Sequence, residues 1–307
     1  MQLAELRIGT RGSPLALAQA RETARLLADI GGGNAVQAAI ETIRTSGDAI
    51  TDRPLSEVGG KGLFTKEIDE AQLSGRIDIA VHSAKDLPTE LADGLVIAAC
   101  LKREDVRDAI LSPVASNLAD LPVGAVLGTS SLRRKAMALR LRPDLSVVDF
   151  RGNVETRMRK LAEGAADATL LAIAGLNRLG LADRASGVLD SDAWLPAVGQ
   201  GAIAITARRD DHEILSLLAR LDDRETSVRL TAERAFLAVL DGSCRTPIGG
   251  LAELDGAMLT FRGIIVRPDG SEALEVARQG PVADAVSLGT DAGAELVRRG
   301  GSGFFEM

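Results

Sequence analysis

Residues 123–160, VGAVLGTSSLRRKAMALRLRPDLSVVDFRGNVETRMRK, run from an apolar strand through a Gly-Thr-Ser-Ser turn into a helix, then begin again with LSVVDFRGN. ATLLAIAGL continues that alternation, and LRIGT and IDIAVHSA earlier in the chain follow the same strand-then-turn pattern. Repeated β–α units of this kind build mostly parallel sheets, with ligands held at the loops that follow strand C-terminal ends. The stretch also changes electrical character. From Gly128 to Lys160 there are nine Lys or Arg against three Asp or Glu, a local +6 in a chain of net charge −7. A guanidinium group beside a Gly- and Ser-containing turn suits a carboxylate or phosphate, which it binds through two parallel hydrogen bonds. Arg133, Arg134, Arg151 and Arg157 stand at such turns and read as ligand-binding residues, whereas Arg140, Arg142 and Arg159 read as a solvated helix face. A multiply anionic ligand is the expectation.

The 307 residues, 46% of them apolar, suffice for two or three domains with cores of their own. No run approaches the ~20 apolar residues of a membrane span. The opening MQLAELRIGT has neither a basic leader nor a long apolar stretch, so a cytoplasmic setting is expected. Two His and two Cys in no clustered spacing argue against a metal site, while a single Cys100–Cys244 disulfide stays open. Nucleic acid is the rival ligand for an arginine cluster. The negative net charge opposes it, and with no Tyr, one Trp and six Phe there are few platforms for base stacking.

Along the chain, Ser13 reads as an N-cap and Pro14 as the first residue of a helix reaching about Asp29. A strand is predicted within VQAAIETIRT, followed by a polar stretch from Ser46 to Gly62 without period, then a helix from about Phe64 to Leu73. WLPAVGQGAIAI supplies a further strand. A long helix over about Glu225–Leu240, strands near 248–254 and 257–266, and a helix over about Val282–Arg299 close the chain. The fold class is α/β: two α/β domains and a small α+β domain at the C-terminus.

Three places carry candidate chemistry. Asp86, in the loop after the strand that ends in His82-Ser83, suits a general acid/base or a cation stabiliser; the alternative is an ion pair with Lys85. His82 itself reads as an interior, hydrogen-bonded histidine. Cys244 lies in the Gly-flanked loop LDGSCRTPIGG beside Arg245, where positive charge favours the thiolate, although a lone Cys is as readily a small buried apolar residue. Cys100, in LVIAACL, reads as core. GGKG at 59–62 lacks the full spacing of a nucleotide phosphate loop, yet its Lys61 could reach a bound anion.

Taken together, RIGTRGSPLALAQA, VGGKGLFTKEI, DIAVHSAKDLP, REDVRDA, GTSSLRRKA, RPDL, FRGNVETR, AIAGLNRLGL, LPAVGQGAIAI and GSCRTPIG resemble the hydroxymethylbilane synthase (porphobilinogen deaminase) family, in family order over almost the whole chain. The resemblance implies a transferase that condenses porphobilinogen on a covalent dipyrromethane cofactor, held by a thioether to Cys244, with Asp86 as the catalytic carboxylate. It implies carboxylate binding by Arg11, Ser13, Lys85, Arg103, Ser131, Arg133, Arg134, Arg151, Arg157, Arg178 and Gln200, and a mobile loop carrying Lys61. No metal is implied. It further implies two periplasmic-binding-protein-like domains, 1–101 with 199–219 and 102–198, and a third domain, 220–307, that carries the cysteine loop. A monomer without nucleic-acid or membrane partners is expected. The cysteine loop reads GSC where GGC is common, which leaves the thioether position intact. The best rival is a non-catalytic two-domain solute-binding module, which gives Cys244 and Asp86 no task.

Overall fold

Apolar residues on successive strands build the first sheet, whose order is β2-β1-β3-β10-β4. The computed structural model describes residues 5–30, 37–49, 62–240 and 246–306. Its first compact unit takes in the described residues up to Glu104 together with 202–227. Here β1 (Leu6–Thr10) pairs in parallel with β2 (Ala38–Thr42) and β3 (Ile79–Ser83). β10 (Ile203–Arg208) lies antiparallel between β3 and β4 (Leu95–Cys100). Leu6, Ile8, Ile79, Val81, Ile203 and Ile205 face helix α1 (Pro14–Ile30) and helix α7 (His212–Leu218), which contribute Ala20, Leu27, Ile214 and Leu218 to one buried core. The other sheet face is covered through Ile68 and Ala71 of α3 (Lys66–Leu73). A short α2 (Ser46–Ala49) opens the stretch that had shown no helical period, and most of that stretch lies outside the described residues.

The second unit, 105–201 with the described residues from 228 onward, holds two sheets. One has the order β7-β6-β8-β5-β9. β6 (Val126–Gly128) pairs in parallel with β7 (Ser146–Val148) and β8 (Ala168–Ala172), while β5 (Asp108–Leu111) runs antiparallel to β8 and to β9 (Gly187–Val188). Helices α4 (Leu132–Leu141), α5 (Val154–Ala162) and α6 (Ile173–Arg178) follow β6, β7 and β8. The other is an antiparallel meander of β11 (Ile248–Asp255), β12 (Met258–Val266) and β13 (Ala273–Pro281), with α9 (Ala285–Gly300) packed on it. Leu251, Ile264 and Val266 of the meander share a core with Ile110, Leu127 and Ala136. Helix α8 (Arg224–Val239) begins in the first unit and continues in the second.

The expected parallel sheets are therefore mixed. β10 and β5 run antiparallel to their neighbours, and local pattern does not encode where in a sheet, or in which direction, a strand enters. β5, β13 and α7 were not anticipated, the first because it is only four residues long.

Buried polar groups organise the second unit. Asp108, at the start of β5, is fully buried, and its carboxylate accepts from four donors. Oδ1 takes Arg134 Nη2 at 2.7 Å and Gln200 Nε2 at 2.8 Å; Oδ2 takes Arg133 Nη2 at 2.6 Å and Trp194 Nε1 at 2.8 Å. The remaining terminal nitrogens donate to backbone: Arg133 Nη1 to Leu195 O and Arg134 Nη1 to Leu170 O, both at 2.9 Å. Burial pushes the Asp108 carboxyl up, but the charges of Arg133 and Arg134 outweigh it and hold it well below the usual carboxylate range. Burial pulls Arg133 down, partly offset by Asp108; a guanidinium nevertheless keeps its proton in a protein. The carboxyl is depressed in the folded state, so its contribution is complete above the unfolded value of roughly 4 and shrinks as pH falls below it.

In the first unit, His82 on β3 is buried, with Thr206 Oγ1 3.4 Å from its Nε2. Thr206 Oγ1 in turn donates to Gln72 Oε1 at 2.8 Å. Burial, helped by the Arg11 cation, pushes the imidazole down to about 4, so it is neutral near pH 7, as expected for an interior histidine.

Two outcomes follow for stability. Asp108→Ala leaves two buried guanidiniums without their carboxylate, and we expect a loss of ~3–5 kcal/mol in urea unfolding followed by circular dichroism; a change below ~1 kcal/mol would deny the cluster its structural weight. For His82 the unfolded imidazole gains a proton near pH 6.5 while the folded one waits until about 4. Stability should therefore fall across that window by on the order of 3 kcal/mol, and His82→Gln should flatten this part of the stability–pH curve.

Candidate active site

β1 and β3 are neighbouring parallel strands, so their C-terminal ends bring Arg11 and the Ser83–Asp86 turn together. Ser13 Oγ accepts from Ala16 N at 3.2 Å, closing the first turn of α1 as the Ser-Pro pair predicts, and this fixes the exit of the chain behind Arg11. Asp86 ends a single 3₁₀ turn, Ala84–Asp86, anchored by Ala84 N donating to Ala202 O at 3.0 Å. Arg11 Nη1 then lies 3.6 Å from Asp86 Oδ2, with both side chains partly exposed.

A pocket opens at this point, lined by Arg11, Ser13, Gln19, Phe64, Ser83 and Asp86. The guanidinium carbon of Arg11 sits 4.1 Å above the Phe64 ring, a cation–π stack that holds the group flat. Gln19 and Ser83 exchange hydrogen bonds of 2.9 and 3.1 Å on the pocket wall. Arg11 also has a second carboxylate partner. Its Nη2 lies 2.5 Å from Asp48 Oδ1, and its Nε lies 3.2 Å from both Asp48 oxygens. Burial pushes the Asp48 carboxyl up, but the Arg11 hydrogen bonds and charge more than offset this and leave it below the ordinary range. Burial likewise lowers Arg11, and Asp48 and Asp86 together raise it above its usual value. Lys85 and Arg103 belong to the same unit; Arg103 N donates to Thr226 Oγ1 at 3.0 Å.

In the second unit, Ser131 caps α4, accepting from Arg134 N at 3.4 Å, and Asn153 caps α5, accepting from Thr156 N at 2.8 Å. Arg151 and Arg157 flank the α5 cap. Arg157 Nε donates to Gly152 O at 2.9 Å, and Lys160 Nζ to Arg151 O at 3.1 Å. Gln200 is aimed at Asp108 by a turn in which Gly199 and Gly201 have φ of 74° and 86°, a conformation that disfavours any side chain. The backbone N of Gly199 donates to the buried carboxylate of Glu233 at 2.7 Å, and Arg178 Nη2 to Gly201 O at 3.0 Å.

The structure corrects one reading in emphasis. Arg133 and Arg134, expected to present their guanidiniums to a ligand, are 4% and 5% exposed and direct their terminal nitrogens inward, because the first turn of α4 packs against Asp108. Each still has a buried Nε with no hydrogen-bond partner. Two guanidiniums around one carboxylate leave an excess positive charge, which suits a group rich in carboxylates. Cys244 and Lys61 lie outside the described residues.

Asp48, Gln19, Phe64 and Asp108 were missed as members of these constellations. Asp108 had one signal, an aspartate opening the apolar run DAIL downstream of several arginines. Asp48 had none, since it stands in an aperiodic polar stretch. Among the described residues no group of three or more His, Cys, Asp or Glu could hold a metal ion, and no helix is long and apolar enough to cross a membrane.

A family model described as "Porphobilinogen deaminase, dipyromethane cofactor binding domain" matches residues 6–216, and one described as "Porphobilinogen deaminase, C-terminal domain" matches 227–298. Porphobilinogen deaminase of Nitrobacter hamburgensis is 61% identical over 300 residues, covering 98% of this chain and 95% of that protein. The enzyme of Paracoccus denitrificans is 55% identical over 301 residues, covering 98% and 96%. Among solved structures, a periplasmic substrate-binding protein of an ABC transporter from Coxiella burnetii matches 72% of this chain and 94% of its own at 16% identity, with a TM-score of 0.43. The chain belongs to the porphobilinogen deaminase family.

Proposed function

We propose that the chain is a hydroxymethylbilane synthase of tetrapyrrole biosynthesis: a transferase that joins four porphobilinogen molecules head to tail, releases four ammonia, and frees the linear tetrapyrrole by adding one water. The observation that carries this reading is the meeting of Arg11 and Asp86 at the ends of β1 and β3, 3.6 Å apart in one pocket, in a chain of this family.

Each substrate pyrrole carries an acetate and a propionate, and Arg11, Ser13, Lys85 and Arg103 supply the donors on the first unit. Loss of ammonia leaves a resonance-stabilised cation on the substrate. The Asp86 carboxylate stabilises that charge and takes up the pyrrole α-proton after the carbon–carbon bond forms; that proton then passes to the amine that leaves in the next cycle. Phe64 and the fork from Asp48 keep the Arg11 plane fixed while this proceeds.

When bound by a thioether to Cys244, the dipyrromethane cofactor supplies the free pyrrole α-carbon that acts as nucleophile, so no activated Ser or Cys is needed for coupling. Ser131, Arg151, Arg157 and Arg178 would hold its carboxylates, with Gln200 setting the turn whose Gly201 carbonyl Arg178 meets. Arg133 and Arg134 add the excess positive charge that Asp108 leaves over. Lys61 acts from the segment that precedes α3. We propose with this a division into three domains, 1–101 with 199–219, 102–198 and 220–307, supported by the three separate sheets. We also propose a cytoplasmic monomer without membrane or nucleic-acid partners.

Intact mass spectrometry of the untreated protein should give a mass above the polypeptide value by two linked pyrrole units, and Cys244→Ser should remove that excess. A parent protein at the bare polypeptide mass that also ignores porphobilinogen would sink the reading. Asp86→Asn should keep the excess mass yet lose turnover by at least ~100-fold, since an amide holds no negative charge beneath a cation. Undiminished porphobilinogen consumption in that variant would take the reaction away from Asp86.

A further inference from the structure

Arg11 is shared by two carboxylates that treat it differently. Asp48 takes the Nε and Nη2 edge, at 3.2 and 2.5 Å, and thereby uses the side of the fork that gives the most directional pairing. Asp86 meets only Nη1, at the looser 3.6 Å. The Phe64 ring at 4.1 Å closes one face of the guanidinium, so its plane is determined by a stack and an edge contact together. Asp48 is itself restrained. Thr45 Oγ1 donates to its Oδ2 at 2.8 Å, the backbone N of Gly47 donates to Leu63 O at 2.8 Å, and the Asp48 backbone N donates to Thr45 O at 3.1 Å. At Gly47 an added Cβ would fall 2.4 Å from the Phe64 ring, so the turn that bears Asp48 is packed against the same aromatic that stacks on Arg11.

We infer that Asp48 is a positioning residue of the reaction: it holds the Nε–Nη2 edge of Arg11 so that only Nη1 is offered to Asp86 and to the substrate. Without that restraint the obvious rearrangement is for the fork to swing onto Asp86 as a two-pronged pair, which would tie the catalytic carboxylate to a permanent cation. A guanidinium prefers such a fork when a carboxylate lies this close. The Asp48 charge also neutralises Arg11 from the far side. Asp86 thereby keeps its negative charge available for the cation that forms on the substrate.

This inference rests on the synthase reading, and its test separates the two. Asp48→Asn keeps the size and one acceptor oxygen, and in the cofactor-loaded enzyme it should lower kcat by ~10- to 100-fold with KM changed by less than ~3-fold. If Asp48 acts through Arg11, that loss should largely vanish in an Arg11→Lys background, because lysine has no fork to orient; a merely structural role would give additive losses. A second readout needs no turnover. Nitrogen-15 NMR of the arginine side chains should show a slowly exchanging Arg11 Nε–H in the parent, assigned by its loss in Arg11→Lys, that exchanges rapidly in Asp48→Asn. Rapid Nε–H exchange in the parent, an unchanged kcat in Asp48→Asn, or additive losses in the double variant would each overturn the inference. A parent with the protected Nε–H that consumes no porphobilinogen would instead overturn the synthase reading, and with it the reaction that Asp48 is inferred to serve.

Discussion

Asp108 of β5 accepts hydrogen bonds from Arg133 and Arg134 of the first turn of α4 and from Trp194 and Gln200 of the segment leading to β10, so three segments meet at one carboxylate. Removing a carboxylate from water costs several kcal/mol, and only near-complete pairing recovers that cost. The four donors are therefore a joint requirement: displacing any of the three segments would strand a charge. That requirement explains why α4 starts where it does, why the Gly199–Gly201 turn is tight, and why the only Trp of the chain lies against an ion cluster instead of in a purely apolar core. It also sets the direction in which the basic stretch faces. The two arginines nearest the Gly-Thr-Ser-Ser turn point inward, and their helix carries Ser131 at its cap as the residue left to face the turn.

What the sequence showed well were features with local causes. Ser13-Pro14 starts α1 because an N-cap hydroxyl and a proline at the first helical position act within one turn. The turn after β3 could be placed at Asp86 because an apolar strand ending in a polar cluster marks a strand C-terminus. Features fixed by partners far away in the chain were not legible. Nothing near Arg133 reveals that Asp108, 25 positions earlier, will be its partner. The same holds for Ile203–Arg208, whose apolar alternation announces a strand but not its antiparallel insertion between β3 and β4. Asp48 was invisible for a different reason: a four-residue helix in a polar stretch has no period to detect.

The two arginine–carboxylate groups answer different physical demands. Around Asp108 the groups are buried, the carboxylate is saturated, and the geometry cannot be altered without a large loss. Around Arg11 the side chains remain partly exposed; the contact to Asp48 is short and that to Asp86 long, so solvent screens the Asp86 contact more. An ion pair of the first kind is suited to shaping a helix N-terminus and a turn. The long Arg11–Asp86 contact of the second kind leaves Asp86 free to meet a substrate charge, while Asp48 and Phe64 keep Arg11 in place.

That difference bears on how a protein of net charge −7 can bind polycarboxylates at all. Its acids are not spread evenly against its bases. Asp108 neutralises only one of two buried guanidiniums, while Asp48 and Asp86 together more than balance Arg11. The Asp108 cluster of the second unit therefore carries a net positive charge. The first presents a cation whose charge is already met by protein carboxylates, one of them Asp86. Opposite local fields thus belong to separate side-chain clusters, a net cation around Asp108 and a net anion around Arg11.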